Sequence, residues 1–209
     1  MGWEHRWFAP SESALTELGP RQDLRTDIYF PASDDVGVKL RDGRGDLEVK
    51  ACLGRAEGAV ERWKKWHLAS DERLITGGRV QDSALLASQI VVATKKPALA
   101  QAWDRWPDAC VPPLSVHVVK HRTQTLLDGL VLEEAALVLR AVRHSGGLLV
   151  LEEGWRSVAV EGGSAEAIAA AVAQHAEACQ PPEDALVGGY PQMVCAFARR
   201  ALDAGRNPS

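Results

Sequence analysis

Hydrophobic and polar positions alternate along the start of the chain: Gly2, Glu4, Arg6 and Phe8 fall on one side of "GWEHRWF", and Trp3, His5 and Trp7 on the other. A period of two predicts a strand. "SESALTEL" then predicts a short helix, with Ser11 or Ser13 as cap and Gly19-Pro20 as its stop. "RTDIYFP" is a second strand with Arg25, Asp27 and Tyr29 on one face. "VGVKLRDGRGDLEVK" is a hairpin turning at "DGRG", with Lys39, Arg41, Glu48 and Lys50 alternating against Val38, Leu40, Leu47 and Val49.

"GAVERWKKWHL" fits strand or helix equally well. From about Asp82 to Trp106 the apolar positions take helical spacing, broken at Pro97 and Pro107, which predicts one or two helices. Beyond Pro112-Pro113 the strand pattern returns in "LSVHVVKHRTQTLL", "GLVLEEAALVLRAVR", "GGLLVLEEG" and "WRSVAVEGG". "SAEAIAAAVAQHAEAC" is a helix capped by Ser164 with Glu166 in its first turn, and the chain is helical again after Pro191, fraying at "RNPS". Strands, helices, strands, helices without a repeat or linker give the α+β class in one domain, residues 1–209.

The composition is that of an ordinary soluble domain: 46% hydrophobic, 25% charged, net charge −4. A basic footprint for a nucleic-acid polymer or a membrane surface is missing at the level of the whole chain. Cys52, Cys110, Cys179 and Cys195 are scattered with no CxxC pair, so neither a zinc site nor a disulfide framework is signalled. The start lacks the apolar core of a secretory signal and no run approaches the roughly 20 apolar residues of a membrane span, so a cytoplasmic location is expected.

The Gly-Gly pairs at 77, 146, 162 and 188 sit in no phosphate-loop context and mark turns. His117 and His121 lie about 13 Å apart if their segment is a strand, too far to share one ion. Trp63, Trp66, Trp103 and Trp106 recur at i,i+3 spacings that suit packing, and no GxSxG elbow is present.

The charged strand faces remain. Each alone suits a solvated sheet, but they recur on several strands. If those strands close into a barrel one face points inward, and charges there require partners. Lysines and arginines mixed with glutamates inside a barrel suit a polyanion, the cations taking phosphate oxygens and the carboxylates a divalent ion.

In this order the motifs resemble those of the triphosphate tunnel metalloenzymes, the CYTH-like superfamily. "GWEHRWF" is similar to the opening E-x-E-x-K strand, "RTDIYF" to the D-x-Y strand, and "VGVKLRDGRGDLEVKA" to K/R-x-R followed by L-x-x-K. "VHVVKHR" is similar to the later K-x-R strand, "GWRSVAVEGG" to the strand ending in glutamate, and "GYPQMV" to a Ser-Tyr-Pro stretch near the C-terminus. The resemblance implies an antiparallel closed β-barrel with flanking helices. It points Arg6, Lys39, Arg41, Lys50, Lys120 and Arg122 at triphosphate oxygens, gives Glu4 and Lys50 catalytic roles, and makes Glu4 and Glu161 ligands of Mg²⁺ or Mn²⁺. Glu48 joins the same tunnel. A further acid is expected in "LVLEEAAL", from Glu133 or Glu134, with Glu134 preferred as the third metal ligand.

Two positions depart from the pattern. Gly2 stands where the motif has its first glutamate and Arg6 where it has lysine, which removes a carboxylate from the metal site. Val116 and Val118 share a face with Lys120 and Arg122, implying that only part of that strand lines the tunnel or that a bulge intervenes. The implied activity is metal-dependent hydrolysis of tripolyphosphate or another small triphosphate. The alternative is a binding module for polyphosphate or a nucleotide that has lost turnover along with the first carboxylate. Oligomeric state is not signalled.

Overall fold

The computed structural model describes residues 2–17, 24–41, 47–68, 75–76, 79–80, 83–96, 99, 114–143 and 148–206. In chain order these form β1 (Gly2–Pro10), α1 (Glu12–Glu17), β2 (Arg25–Ser33), β3 (Val36–Arg41), β4 (Leu47–Ala56), β5 (Val60–Leu68), β6 (Ile75–Thr76), β7 (Arg79–Val80) and α2 (Ser83–Thr94). Then come β8 (Leu114–Leu127), β9 (Leu130–Arg143), β10 (Leu149–Gly162), α3 (Ala165–Gln174), α4 (Ala176–Cys179), β11 (Leu186–Val187) and α5 (Tyr190–Arg206). The expected stop at Gly19-Pro20, the "DGRG" turn, the glycine turns at 77 and 146, Pro97, Trp103, Trp106, Pro107, Cys110, Pro112, Pro113 and the last three residues of "RNPS" lie outside the described residues.

Eight antiparallel strands follow one another in the order β10-β9-β8-β2-β3-β4-β5-β1, and β1 pairs back onto β10. The sheet closes on itself, so the fold is the expected α+β barrel with flanking helices. Closure rests on eight consecutive β1–β10 partners, from Trp3↔Gly162 to Pro10↔Trp155, with β11 adding a short edge beside Trp7 and Phe8. The ambiguous "GAVERWKKWHL" is strand β5, paired to β4 along its length and to β1 at Gly2–Glu4. Trp63 and Trp66 therefore face opposite sides: Trp63 inward against Gly189, and Trp66 outward in the layer that α2 covers.

"GGLLVLEEG" and "WRSVAVEGG" are one strand, β10, running through Gly154. That glycine admits the chain entering α1: Ser11 N–H donates to the Gly154 carbonyl at 2.8 Å, and a Cβ on residue 154 would lie 2.2 Å from the Ser11 carbonyl oxygen. β8 and β9 are joined by Asp128-Gly129, both at positive φ (48° and 84°), the turn whose twist matches a two-residue hairpin. The Ser164 hydroxyl caps α3 by accepting from Ala167 N–H, as expected, but the helix breaks at His175, and Cys179 ends the separate turn α4. No helix of the described residues is long and apolar enough to cross a membrane.

Apolar layers cover the barrel outside and fill part of it inside. α2 packs on the outward residues Phe30, Val36, Val38, Leu47 and Val49 through Leu86 and Ile90. α3 covers Val60, Leu130 and Val160 through Ala165 and Ile168. α5 instead enters one end of the barrel. Its Tyr190, Met193, Val194, Phe197 and Ala201 are buried among Phe8, Tyr29, Val116, Val118, Leu137 and Leu139, all on the inner face. This accounts for the valines beside Lys120 and Arg122. The β8–β9 register is unbroken from Leu114 to Leu127, so no bulge intervenes; the inner face of β8 is apolar where α5 fills the barrel and charged where it does not.

Candidate functional site

The barrel is a cup, plugged at one end by α5 and charged at the other. Gly37, on the inner face of β3, lets α5 approach: a Cβ there would lie 3.0 Å from Pro191 Cγ. Tyr190, at the start of α5, stacks on Tyr29 (5.7 Å between centroids, 11° between planes) and meets Phe8 edge-on at 5.1 Å. These rings form the floor. Arg6 Cζ lies 5.0 Å and Lys120 Nζ 5.1 Å from the Tyr190 ring, and Lys39 Nζ 5.3 Å from the Tyr29 ring, within cation–π reach. The Tyr190 hydroxyl and Lys120 Nζ are 3.3 Å apart.

Above the floor, the inner positions of all eight barrel strands place Arg6, Arg25, Lys39, Arg41, Lys50, Lys65, Lys120 and Arg122 around one space, with Glu48, Glu133 and Glu161. Glu4 and Asp27 lie against these cations. Around this space the described residues place eight cations against five carboxylates; a further inner-face acid, Glu61, lies opposite Glu4 and is held by Arg55 and Gln192. Strand register sets some of them in opposite-charge pairs: Lys39 faces Glu48, and Asp27 faces Arg41. Elsewhere it sets like charges directly across from one another: Arg25 faces Lys120, and Lys50 faces Lys65. Like charges opposite one another on one sheet face destabilise it.

The carboxylates are bound by the cations. Asp27 accepts from Arg25 Nη2 at 2.5 Å and from Lys39 Nζ at 2.9 Å; Glu48 lies 3.3 Å from Lys39 and 3.1 Å from Arg41. Glu133 takes Arg6 at 3.0 Å, Arg122 at 3.1 Å and Lys120 at 3.5 Å, with Gln124 donating at 3.2 Å. Burial alone would raise the Glu133 carboxyl, but Arg6 and Lys120 outweigh it and hold it at about 2. The same contest, won by Lys50 and Arg6, puts Glu4 well below the usual carboxylate range. The lysines move the other way: burial, only partly offset by the acids beside them, lowers both Lys39 and Lys120 from 10.5 to about 8. Burial raises the Tyr190 hydroxyl to about 12, keeping it a neutral donor.

The mouth is more open than the floor. Arg41 and Arg122 side chains are 34% and 44% exposed, against 2% for Arg6 and 9% for Lys39. Arg41 Nε is buried 3.9 Å from Asp27 and makes no hydrogen bond among the described residues. The free space is about 70 Å³, enough for a small group of waters.

Every cation expected from the sequence, Arg6, Lys39, Arg41, Lys50, Lys120 and Arg122, lies in this one wall, together with Glu4, Glu48 and Glu161. Glu134 does not. It is exposed on the outer face, lining a groove with His121, Thr123 and Arg156, while Glu133 beside it is buried in the cup. The parity is fixed by pairing: Glu133 lies opposite Gln124, two positions along from the Arg122↔Ala135 pair, and so shares the inner face. Arg25, Lys65, Trp63 and Tyr190 complete the cup without having been assigned to it. Arg25 was legible as the partner of Asp27 on an alternating strand, whereas Lys65 carried no signal while β5 was undecided. His117 lies three residues from Lys120 and so in opposite parity, faces outward, and shares a hydrogen bond with Ser115 Oγ.

The implied Mg²⁺ or Mn²⁺ does not fit the donors as they stand. Glu4 and Glu161 are direct cross-strand partners, and Glu133 reaches the same point, but all three converge on the Arg6 guanidinium. No cluster of three or more metal-binding side chains free to hold an ion is present among the described residues. Gly2 adds no donor.

No protein-family model and no curated protein sequence matches the chain. Among solved structures it is similar to one described as a "putative adenylate cyclase" from Bacillus halodurans, at 12% identity over 88% of this chain and 96% of that one, with a TM-score of 0.37. At that identity and score the likeness adds nothing to the barrel already described.

Proposed function

We propose that this protein is a divergent triphosphate-tunnel protein that holds a short polyanion, tripolyphosphate or the triphosphate group of a small molecule, in the plugged barrel. The observation that carries the reading is the register that sets Arg25 across from Lys120 and Lys50 across from Lys65 on the inner face of a closed sheet. Arg25, Lys50 and Lys120 each have a carboxylate partner, but the like-charge pairs leave the space lined by more cations than acids, and a bound polyanion supplies the difference. Mouth arginines with planar, bidentate donors suit non-bridging phosphate oxygens, and the lysines below act as point charges.

Metal-dependent phosphohydrolysis, with Glu4 and Lys50 as catalytic groups, is the second reading. The observation in its favour is the Glu4↔Glu161 pair, which brings two carboxylates to one point. The binding reading is preferred because those carboxylates are already held by Arg6 and Lys50.

Titration calorimetry with tripolyphosphate in chelator and in Mg²⁺, alongside phosphate release from the same mixtures, separates the two. Binding of one tripolyphosphate in both conditions without release supports the first. Metal-dependent release that collapses in Glu4→Gln supports the second. Neither binding nor release removes both.

A further inference from the structure

We propose that Arg6 is a resident cation standing in the place of a divalent metal ion, so that the barrel carries no metal of its own. As far as it concerns ligand binding, the inference rests on the polyanion reading above. The geometry points to it directly. Three carboxylates from three strands meet three nitrogens of one guanidinium: Glu4 at Nε (2.9 Å), Glu133 at Nη1 (3.0 Å) and Glu161 at Nη2 (2.5 Å). Ser157 Oγ takes a further Nη1 donor at 3.4 Å. Four of the five N–H donors are thereby engaged.

The guanidinium has nowhere else to go. Its side chain is 2% exposed and lies over the Tyr190 and Phe8 rings, 5.0 and 5.9 Å from their centroids. A hard divalent ion draws carboxylate oxygens to about 2.0–2.6 Å of a single point. That point is taken by the guanidinium, and the carboxylates stand apart at the separations its planar fork imposes. Without Arg6, Glu4 and Glu161, direct partners across β1 and β10, would repel each other. The surrounding cations complete the neutralisation, Lys50 on Glu4 and Arg122 on Glu133. Position 2 is not glycine for lack of room, since a Cβ there would meet nothing within 4 Å.

The test is Mn²⁺ alone, titrated without any phosphate and read by the loss of the free-ion signal in electron paramagnetic resonance. Wild type is expected to show no stoichiometric site up to millimolar Mn²⁺. Arg6→Ala, which frees three carboxylates, is expected to gain one site, at least tenfold tighter than any in wild type, and to lose it again in Arg6→Ala/Glu161→Gln. A single wild-type site that disappears in Glu161→Gln overturns the proposal, as does a folded Arg6→Ala that gains none. Should Arg6→Ala not fold, wild type against Glu161→Gln decides, since Glu161 is 37% exposed at the mouth. Because no polyanion is present, the result is independent of whether tripolyphosphate binds.

Discussion

Replacing Glu133 by glutamine should make the protein less stable and bind tripolyphosphate more tightly. Glu133 is the internal counter-ion of Arg6, Lys120 and Arg122, at 3.0, 3.5 and 3.1 Å, and is 2% exposed. A carboxyl held at about 2 instead of 4.5 contributes about 3 kcal/mol of stability at neutral pH. Glutamine keeps the shape and forfeits that term, which lowers Tm by roughly 6–12 °C for a domain of this size. The sign with pH is definite: a depressed carboxyl pKa stabilises fully above 4.5 and loses that stabilisation as pH falls toward 2. The Tm gap between wild type and Glu133→Gln should therefore close over that window. Affinity moves oppositely, because the ligand no longer competes with a carboxylate for three cations. Removing one repulsion at about 6 Å, or freeing one charge-assisted bond, is worth about 1.5–3 kcal/mol, or roughly ten- to a hundredfold. Thermal scans from pH 7 to pH 2 and calorimetry in chelator read both effects. A folded Glu133→Gln that binds tripolyphosphate more weakly would refute the view that the acids of the cup hold its cations in waiting.

Three further outcomes follow from the same wall. Tripolyphosphate affinity should be level below pH 8 and fall as pH rises beyond it, because Lys39 and Lys120 lose their protons near 8 and the ligand's own charge does not fall; calorimetry in two buffers of different ionisation heat should show proton uptake on binding at pH 8–9. With α5 plugging one end, only chain termini can enter, so long linear polyphosphate should bind at most two protein molecules per chain whatever its mean length; a number that grows with length shows threading instead. Phe197→Ala, fully buried in that plug, should cost about 3–5 kcal/mol in denaturant unfolding, and a loss under 1 kcal/mol would mean that α5 is not part of the core.

The inner parity of β1, β3 and β4 was legible because each alternates charge with apolar residues, and Glu4, Arg6, Lys39, Arg41 and Lys50 all stand where alternation puts them; on β8 only the Lys120/Arg122 pair marked the inner side, since Val116 and Val118 share it. The parity of β9 was not legible. Its outward Leu132, Ala136 and Val138 are as apolar as its inward Ala135, Leu137 and Leu139, because α5 fills the inside while the outer face is also largely covered. With both faces apolar, Glu133 and Glu134 could not be told apart by pattern, and only the pairing with β8 decides between them. β5 failed for the opposite reason, since charges lie on both of its faces. Nothing local in "EHR" reveals that Arg6 gathers carboxylates from two strands more than 120 residues away.

The central claim is that the inner cations, and not the charged surface at large, hold a triphosphate. Calorimetry with tripolyphosphate in chelator tests it most directly when wild type is compared with Arg41→Ala and Lys50→Ala, which line the cup, and with Arg140→Ala, an exposed arginine paired to Glu152 outside it. The account predicts one site per chain, weakened at least tenfold by each inner substitution and unchanged by the outer one, with all four proteins folded. Equal affinity across the four, or no binding by wild type, contradicts it.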